Sequence, residues 1–300
     1  MRGVFPVVPT PFNRDGTVDQ ASFTSVIEYG LRAGAHGFLY PANASEFFTL
    51  STQERTQLVE QLINVVAKRV PTIVGVSSPD PDVARSLARH AGELGADCLL
   101  LLIPSAFADR PDAAQEYVGS ICAGSPCPVM LQNAPPPLGA DLPIDVLRTI
   151  VRRYPAVQYV KEEGSPSGQR ISALLHGAGD VLRGVFGGDG GRSLPNELAR
   201  GVAGTMPAIE LTEMFVALWD AHERGDVSET YALFERMLPL LNVQRVFRWA
   251  MTKQILCWRG IIANHHVRAP GAPMLDETDL LELRTWYERA EQALIPWRTA

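Results

Sequence analysis

The run Cys98-Leu99-Leu100-Leu101-Leu102-Ile103-Pro104 carries no charged residue and shows no alternation between polar and apolar side chains. Such a continuous apolar run predicts a strand that is buried on both of its faces. Strands of this kind belong to parallel sheets that are covered by helices. The run is also far shorter than the roughly 18 apolar residues that a membrane-spanning helix needs. It therefore predicts the interior of an α/β protein.

Seven other short apolar runs extend this pattern along the chain, and amphipathic stretches lie between them. The predicted strands are residues 4–9, 37–42, 72–77, 98–104, 128–134, 157–162, 182–187 and 204–208. Three of the intervening helices carry start signals, which are Asp19, the capping box of Ser51 and Glu54, and the pair Asp80-Pro81. Eight successive β-then-α units predict a (β/α)8 TIM barrel.

A doubly wound sheet is the alternative fold for such a chain. Its dinucleotide-binding form needs G-x-G-x-x-G after a strand, but the loop at residues 187–191 has another spacing and contains Asp189. A carboxylate there would repel a pyrophosphate, so the barrel is favoured. After residue 225 the pattern contains helices only. We therefore predict a barrel domain at residues 1–225 and a C-terminal helical extension at residues 226–300 that packs on the barrel.

The composition narrows the possible partners and the compartment. The chain has 27 Lys and Arg residues against 33 Asp and Glu residues, so its net charge is −6, and it has no basic run. This charge argues against nucleic acid and membranes as partners. The four cysteines include no C-x-x-C pair and predict reduced packing residues. Prolines at positions 6, 9 and 11 interrupt any signal-peptide core, so we expect a cytoplasmic protein.

Function in a TIM barrel concentrates at the carboxyl ends of the strands. No histidine lies at these ends, so we expect neither a metal site nor a Ser-His-Asp arrangement, and G-x-S-x-G does not occur. The chain has three lysines, Lys68, Lys161 and Lys253. Lys161 alone lies within a predicted strand, whereas Lys68 is expected to be exposed and Lys253 to snorkel or pair.

Burial of Lys161 in that strand would disfavour its ammonium form and leave a nucleophilic amine near pH 7. Such an amine condenses with a ketone to form an iminium, which is an electron sink for reaction at the neighbouring carbon. The alternative is a lysine that is neutralised structurally by Glu162, Glu163 or Glu46. The residues by themselves leave both interpretations open.

Polar and small residues at other strand ends predict a binding site around Lys161. Asn43, Ala44 and Ser45 follow the second strand, and their backbone N–H groups could hold a carboxylate, although an ordinary βα turn explains them too. The other predicted contacts, in chain order, are Ser77, Ser78, Gln132, Asn133, Gly188 and Met206. Gln132 and Asn133 either orient substrate hydroxyls or only satisfy loop backbone.

Taken together, these residues resemble the dihydrodipicolinate synthase / N-acetylneuraminate lyase family of Schiff-base TIM barrels. The resemblance covers almost the whole chain and depends on six segments that occur in the family's order. They are residues 8–19, 43–55, 69–71, 95–97, 133–135 and 160–162. Each segment is a weak signal alone, but six in the right order make the match specific.

The resemblance implies that Lys161 forms a Schiff base with a 2-keto acid, whose carboxylate binds the backbone N–H groups of Asn43 and Ala44. It implies further that no metal or organic cofactor is needed, because the iminium is itself the electron sink. The family is commonly tetrameric. We therefore expect a homo-oligomer, either a tetramer or a dimer, with a small-molecule 2-keto acid as its partner.

Two motifs depart from those of the family's synthases. Residues 42–46 are Ala-Asn-Ala-Ser-Glu where the synthases carry G-T-T-G-E, and residues 132–137 are Gln-Asn-Ala-Pro-Pro-Pro where they carry Y-N-V-P-S-R. An amide is no proton shuttle at neutral pH, so Gln132 in place of tyrosine argues against the synthase reaction and against sialic acid cleavage. The altered set is most similar to the branch that dehydrates L-2-keto-3-deoxyarabonate, whose motifs are A-N-x-S-E and Q-D-A-P. Asn133 differs from that branch's Asp.

The predicted function is dehydration of a 2-keto-3-deoxy sugar acid through an iminium on Lys161, with Gln132 orienting a substrate hydroxyl or a water. The general acid stays open among Glu163, Ser45 and a bound water. The alternatives are retro-aldol cleavage of the same class of acid to pyruvate and an aldehyde, and a synthase-like condensation. A more remote alternative is a non-catalytic sugar-acid-binding protein.

Overall fold

The computed structural model describes residues 1–291, in which eight parallel strands form one sheet. The strands are Gly3–Val4 (β1), Phe38–Tyr40 (β2), Thr72–Gly75 (β3), Cys98–Leu102 (β4), Val129–Asn133 (β5), Val157–Glu162 (β6), Gly184–Gly187 (β7) and Gly204–Thr205 (β8). Their order in the sheet is β1-β8-β7-β6-β5-β4-β3-β2. A parallel bridge between Val7 and Leu39 joins its two ends. The predicted TIM barrel is confirmed.

A helix follows each strand before the next strand begins. These helices are Gln20–Arg32 (α1), Thr52–Val66 (α2), Pro81–Glu93 (α3), Pro111–Cys122 (α4), Ile144–Arg153 (α5), Ser167–Ala178 (α6), Leu194–Leu198 (α7) and Thr212–Glu223 (α8). Asp19 and Asp80 cap the first turns of α1 and α3, and Ser51 with Glu54 forms the predicted capping box of α2. No helix within residues 1–291 is long and apolar enough to cross a bilayer.

Every strand except β6 is shorter than predicted, and the first and last strands are shortened most. β1 and β8 each have two residues. Pro6 and Pro207, which lack an N–H, follow these strands closely, although Phe5 and Val7 still donate to the carbonyls of Thr205 and Pro207. Beyond these prolines, pairing continues only as isolated bridges of Val7 to Leu39 and to Ala208.

The strands separate two apolar layers. Side chains inside the barrel form the inner layer, and its members are Phe5, Val7, Leu39, Ala42, Ile73, Cys98, Leu100, Met130, Tyr159, Phe186 and Met206. The larger outer layer lies between the strands and the helices. Because alternate residues of each strand enter opposite layers, the strands are apolar on both faces, as their sequences predicted.

Two further helices form the C-terminal extension, Val227–Trp258 (α9) and Glu277–Glu291 (α10). Helix α9 packs against α8 and α10 and reaches the turn that follows β2. Its backbone leaves helical geometry at Arg248, where φ is 39° and ψ is −107°. The last predicted helix spans residues 279–294, of which 292–294 lie outside the described residues. The division of the chain at residue 225 stays a prediction.

Candidate active site

Lys161 and Gln132 point into the barrel from neighbouring strands. Tyr159 on β6 and Met130 on β5 belong to the inner layer, so Lys161 and Gln132, two residues further along each strand, face the same way. The two residues are in register, and only 4% of Lys161 and 2% of Gln132 are exposed. The structure therefore brings together the two residues that were predicted to be catalytic.

Glu163, the residue after β6, connects them. Its Oε1 lies 3.1 Å from Lys161 Nζ, and its Oε2 accepts a hydrogen bond of 2.6 Å from Gln132 Nε2. Oε1 also accepts the backbone N–H of Asp189 at 3.0 Å. Burial raises the pKa of Glu163, but the charge of Lys161 and these hydrogen bonds outweigh it, so the pKa lies below its ordinary value. Lys161 thus has a carboxylate proton acceptor in direct contact, rather than an isolated apolar environment.

Asn133 and Glu162 lie on the opposite face of the same strands. Asn133 Nδ2 donates to Glu162 Oε2 at 3.1 Å, and its Oδ1 accepts the backbone N–H of Leu142 at 2.8 Å. Glu162 also binds Arg170 Nε at 2.9 Å. The structure therefore places Asn133, a predicted substrate contact, outside the cluster. Glu162 is likewise not the partner of Lys161, because side chains of adjacent strand residues point to opposite faces.

The residues Asn43–Ser45 form a 3-10 turn directly after β2. The turn's own hydrogen bonds use the N–H groups of Ser45 and Glu46. The N–H groups of Asn43 and Ala44 have no partner within residues 1–291. Unpaired N–H groups of this kind can bind a carboxylate. Asn43 also lines a narrow cleft at this end of the barrel together with Gln132.

The Ser45 hydroxyl is used within the protein. It donates to the carbonyl of Val8 at 2.6 Å and accepts the N–H of Ala42 at 3.0 Å, and Ser45 is fully buried. Its proton is therefore not available to a substrate. This hydrogen bonding excludes Ser45 from the three possible general acids. Its side chain instead connects the turn to the segment after β1.

Ser77 and Arg55 line the same cleft. The Ser77 Oγ accepts the N–H of Leu102 at 2.8 Å, and the Ser77 carbonyl accepts from Arg55 Nη1 at 3.0 Å. Ser78 lies just beyond, where its carbonyl accepts from Tyr117. Arg55 is 8% exposed, and among the described residues its guanidinium has carbonyl partners but no carboxylate partner. Burial lowers the pKa of Arg55 to about 10, so it remains a cation at neutral pH and favours an anionic ligand.

Gly188 and Met206 lie at the ends of β7 and β8. A Cβ on Gly188 would be 2.2 Å from Glu163 Oε1, so the absence of a side chain there permits the position of the carboxylate. Met206 is 2% exposed and belongs to the inner layer. Gly188 thus contacts the cluster, whereas the structure shows no polar role for Met206.

A second cavity, of about 540 Å3, opens beside Glu163. It is lined by the loops that follow β6 and β7 and by α9, including Ser167, Asp189, Arg192 and Tyr231. Its size leaves room for a substrate chain that extends beyond Glu163. Within residues 1–291, no group of three or more His, Cys, Asp or Glu side chains could hold a metal ion.

Comparison with known proteins identifies the family. The model of the Dihydrodipicolinate synthetase family matches residues 1–286. The chain belongs to this family. It is 29% identical over 300 residues to an L-2-keto-3-deoxyarabonate dehydratase of Azospirillum brasilense, which covers 99% of this chain and 96% of the relative.

Two other matches widen the range of activities in this dihydrodipicolinate synthetase family. The chain is 28% identical to the "Probable 2-dehydro-3-deoxy-D-pentonate aldolase YjhH" of Escherichia coli K12, over 79% of this chain and 80% of the relative. The crystal structure of dihydrodipicolinate synthase from Rhodopseudomonas palustris superposes with a TM-score of 0.87 at 26% identity, covering 96% of this chain and 97% of that one. The family's enzymes act through a lysine Schiff base and need no external cofactor.

The sequence assigns no role at the site to two residues that lie near it, Arg55 and Trp249. Arg55 lies at the start of the apolar stripe of α2 that Leu58, Val59 and Leu62 continue, and this spacing was a signal that Arg55 is buried. Trp249 of α9 donates its Nε1–H to the carbonyl of Asn43 at 2.7 Å. No local signal indicates that contact, because 206 residues separate the two positions.

Proposed function

We propose that this protein is a lyase that dehydrates a 2-keto-3-deoxy sugar acid, such as L-2-keto-3-deoxyarabonate, through an iminium on Lys161. The observation that carries the proposal is the buried cluster of Lys161, Glu163 and Gln132. It combines an amine, a carboxylate in contact with it and an amide that orients the carboxylate. These are the groups that a covalent elimination without a tyrosine needs.

Substrate binding begins at its carboxylate. The unpaired N–H groups of Asn43 and Ala44 receive the carboxylate, and Arg55 adds a positive charge that attracts it into the cleft. The carboxylate orients the C2 carbonyl toward Lys161. The hydroxyl-bearing carbons then extend past Glu163 into the second cavity.

Condensation at C2 needs an uncharged amine and a proton for the departing oxygen. Glu163 accepts a proton from the Lys161 ammonium, and the free amine attacks C2 to form a carbinolamine. Glu163 then returns the proton to the carbinolamine hydroxyl, which leaves as water when the iminium forms. The short contact between Lys161 and Glu163 makes both transfers direct.

Elimination follows from the same arrangement. Glu163, again a carboxylate, takes a proton from C3, and the electrons of the C–H bond move into the iminium to give an enamine. The enamine expels the C4 hydroxyl, which takes the proton from Glu163 and leaves as water. Hydrolysis releases Lys161, and from L-2-keto-3-deoxyarabonate the tautomerised product is 2-oxoglutarate semialdehyde. Gln132 holds the carboxylate in place and orients the hydroxyl.

Retro-aldol cleavage is the second candidate, and the similarity to the aldolase-named relative favours it. Cleavage requires a base for the C4 hydroxyl proton; Gln132 cannot fill this role because an amide does not titrate near neutral pH, so the role would fall to Glu163. Incubation with a panel of 2-keto-3-deoxy acids, scored for semialdehyde and for pyruvate, separates the two reactions. We expect semialdehyde in proportion to the substrate consumed. Stoichiometric pyruvate would overturn dehydration, and no turnover of any acid would favour the binding protein.

Replacing Gln132 by leucine tests the role of its amide. The hydrogen bond from Gln132 stabilises the ionised form of Glu163 and contributes to its lowered pKa. Without this hydrogen bond the pKa of Glu163 rises. A larger fraction of the enzyme then has a protonated Glu163 carboxyl group at mildly acidic pH. We expect the acid limb of the kcat/KM profile to move to higher pH, which pH-dependent kinetics would measure. A limb that stays in place would show that Glu163 does not set it.

Gly188→Ala tests the placement of the carboxylate. The added methyl group would lie 2.2 Å from Oε1, 2.5 Å from Cγ and 2.6 Å from Cδ of Glu163, so the whole Glu163 side chain must move and the carboxylate is displaced. A displacement of about 1 Å costs on the order of 10²-fold in rate. We expect a fall in kcat of that order, measured at temperatures where the variant is folded, together with a lower melting temperature because the site is overpacked. An unchanged kcat would contradict a catalytic role for this position of Glu163.

A further inference from the structure

The residue after the carboxylate-binding turn is attached to the C-terminal extension. Glu46 is fully buried, and its backbone has a left-handed φ of 55°. Its carboxylate contacts the ammonium of Lys253 on α9. It also accepts the backbone N–H groups of Arg268 and Ala269, each at 2.7 Å. The chain segment that follows Asn43 and Ala44 is therefore held by groups more than 200 residues away.

Lys253 is the second buried lysine of the chain, with 0% exposure. Its ammonium also donates to the carbonyl of His266 at 2.8 Å and lies 4.3 Å from the centre of the Phe12 ring. A buried ion pair is often no more stabilising than the apolar residues that could replace it, because both charges lose their hydration. The ion pair between Lys253 and Glu46 instead fixes the position of the Glu46 side chain.

Trp249 holds the turn itself. Its Nε1–H donates to the carbonyl of Asn43 at 2.7 Å. Its ring packs edge-on against the ring of Phe48, with the two ring centroids 5.5 Å apart. The non-helical backbone of Arg248 directly precedes it. A non-glycine residue with positive φ costs free energy, and such strain is concentrated at functional sites. Here the strained residue, Arg248, directly precedes Trp249, the residue that contacts the turn.

The contact with the Asn43 carbonyl bears directly on the ligand site. The carbonyl of Asn43 and the N–H of Ala44 belong to one planar peptide unit and point in opposite directions. The Asn43 carbonyl also accepts the N–H of Glu46 at 3.0 Å, and Trp249 is a second donor that further restricts the carbonyl and with it the direction of the Ala44 N–H. It also polarises the peptide and strengthens hydrogen bonds that the N–H donates.

We propose that Trp249 and Lys253 are positioning residues for substrate binding, and that they orient the Asn43–Ser45 turn toward the carboxylate of the keto acid. This inference depends on the proposed function, in which the turn binds that carboxylate. The C-terminal extension is then a component of the binding site rather than only a cover for the barrel.

Trp249→Phe is the sharpest test, because it keeps an aromatic ring beside Phe48 and removes one donor. The measurement is borohydride trapping on Lys161 as a function of ligand concentration, with pyruvate and with hydroxyacetone, a ketone that lacks the carboxylate. We expect the half-saturating pyruvate concentration to rise about 3- to 10-fold, which is the range for losing one hydrogen bond. The value for hydroxyacetone and the maximal trapping should change by less than about twofold.

The matched control is Trp286→Phe on α10, which removes an Nε1–H bonded to Glu282 at 3.2 Å in the same extension. It should leave both half-saturating concentrations unchanged. Equal weakening of pyruvate and hydroxyacetone in Trp249→Phe, or no change for either, would overturn the proposal. Absence of trapping in the unmodified protein would overturn the proposed function and this inference with it.

The double variant Lys253→Met with Glu46→Gln removes the ion pair without leaving a single buried charge. We expect it to raise the half-saturating pyruvate concentration at least as much as Trp249→Phe does, again with hydroxyacetone unaffected. Near-UV circular dichroism establishes that the variant is folded. A folded double variant with unchanged pyruvate dependence would show that the ion pair does not position the turn, and would restrict the proposal to Trp249.

Discussion

Lys161→Ala is expected to abolish turnover and covalent trapping together. The amine is the group that forms the iminium, and its loss removes the electron sink for every later step. We expect kcat/KM to fall by at least about 10⁴-fold, since removing a covalent nucleophile costs this much in other enzymes. Mass spectrometry after borohydride reduction with pyruvate should show the adduct in the unmodified protein and none in the variant.

The matched control for this variant is Lys68→Ala. The Lys68 side chain is 62% exposed and forms an ion pair with Asp97 at 3.2 Å. It has no role in the proposed reaction. It should keep full activity and full trapping. Because a lost surface ion pair costs about 1 kcal/mol or less, its stability should also change little. An adduct that persists in Lys161→Ala would assign the Schiff base to another amine and contradict the mechanism.

Glu163→Gln is the second variant with a large expected effect. The amide keeps the size of the side chain but can neither take the proton of C3 nor give one to the C4 hydroxyl. General acid–base groups contribute about 10²- to 10⁴-fold, so we expect kcat to fall within this range. Pyruvate should still be trapped on Lys161, although more slowly, because iminium formation loses its direct proton acceptor. Steady-state kinetics and the time course of trapping measure the two effects.

Glu162→Gln is the matched control, since it is the same substitution one residue earlier on the opposite face. Glu162 is fully buried and binds Arg170 and Asn133, so its neutralisation should lower the melting temperature. Its kcat should stay near that of the unmodified protein at temperatures where the variant is folded. If the two variants lost kcat equally, proton transfer at Glu163 would not explain the effect.

The barrel could be predicted because its signals are local. Continuous apolar runs such as residues 98–104 and caps such as Ser51 with Glu54 depend on side chains within a few residues of each other. The same is true of Lys161, whose position inside a strand predicted its burial. The strand lengths are predicted less well, since every strand except β6 is shorter than its apolar run, and β1 and β8 are shortened most, next to Pro6 and Pro207.

The site was predicted less completely. Glu162 and Glu163 are adjacent and chemically equal in the sequence, and the end of β6 decides which of them meets Lys161. Proximity in the chain predicts a common role for Asn133 and Gln132, but the alternation of side chains along β5 places the Asn133 amide on the opposite face. The sequence also leaves Ser45 as a possible acid, but its hydroxyl donates to the carbonyl of Val8.

The sequence alone therefore determined the class of fold, the family and the amine on which the proposed chemistry depends, because each follows from patterns within short segments. The tertiary structure alone decided that Gln132 shares the carboxylate of Glu163 with that amine, and that Trp249 and Lys253 are attached to the turn after β2. These are pairings between residues on different strands, or on elements more than 200 residues apart. Their distances depend on how the barrel closes and how α9 packs on it, and periodicity within a segment carries no information about either.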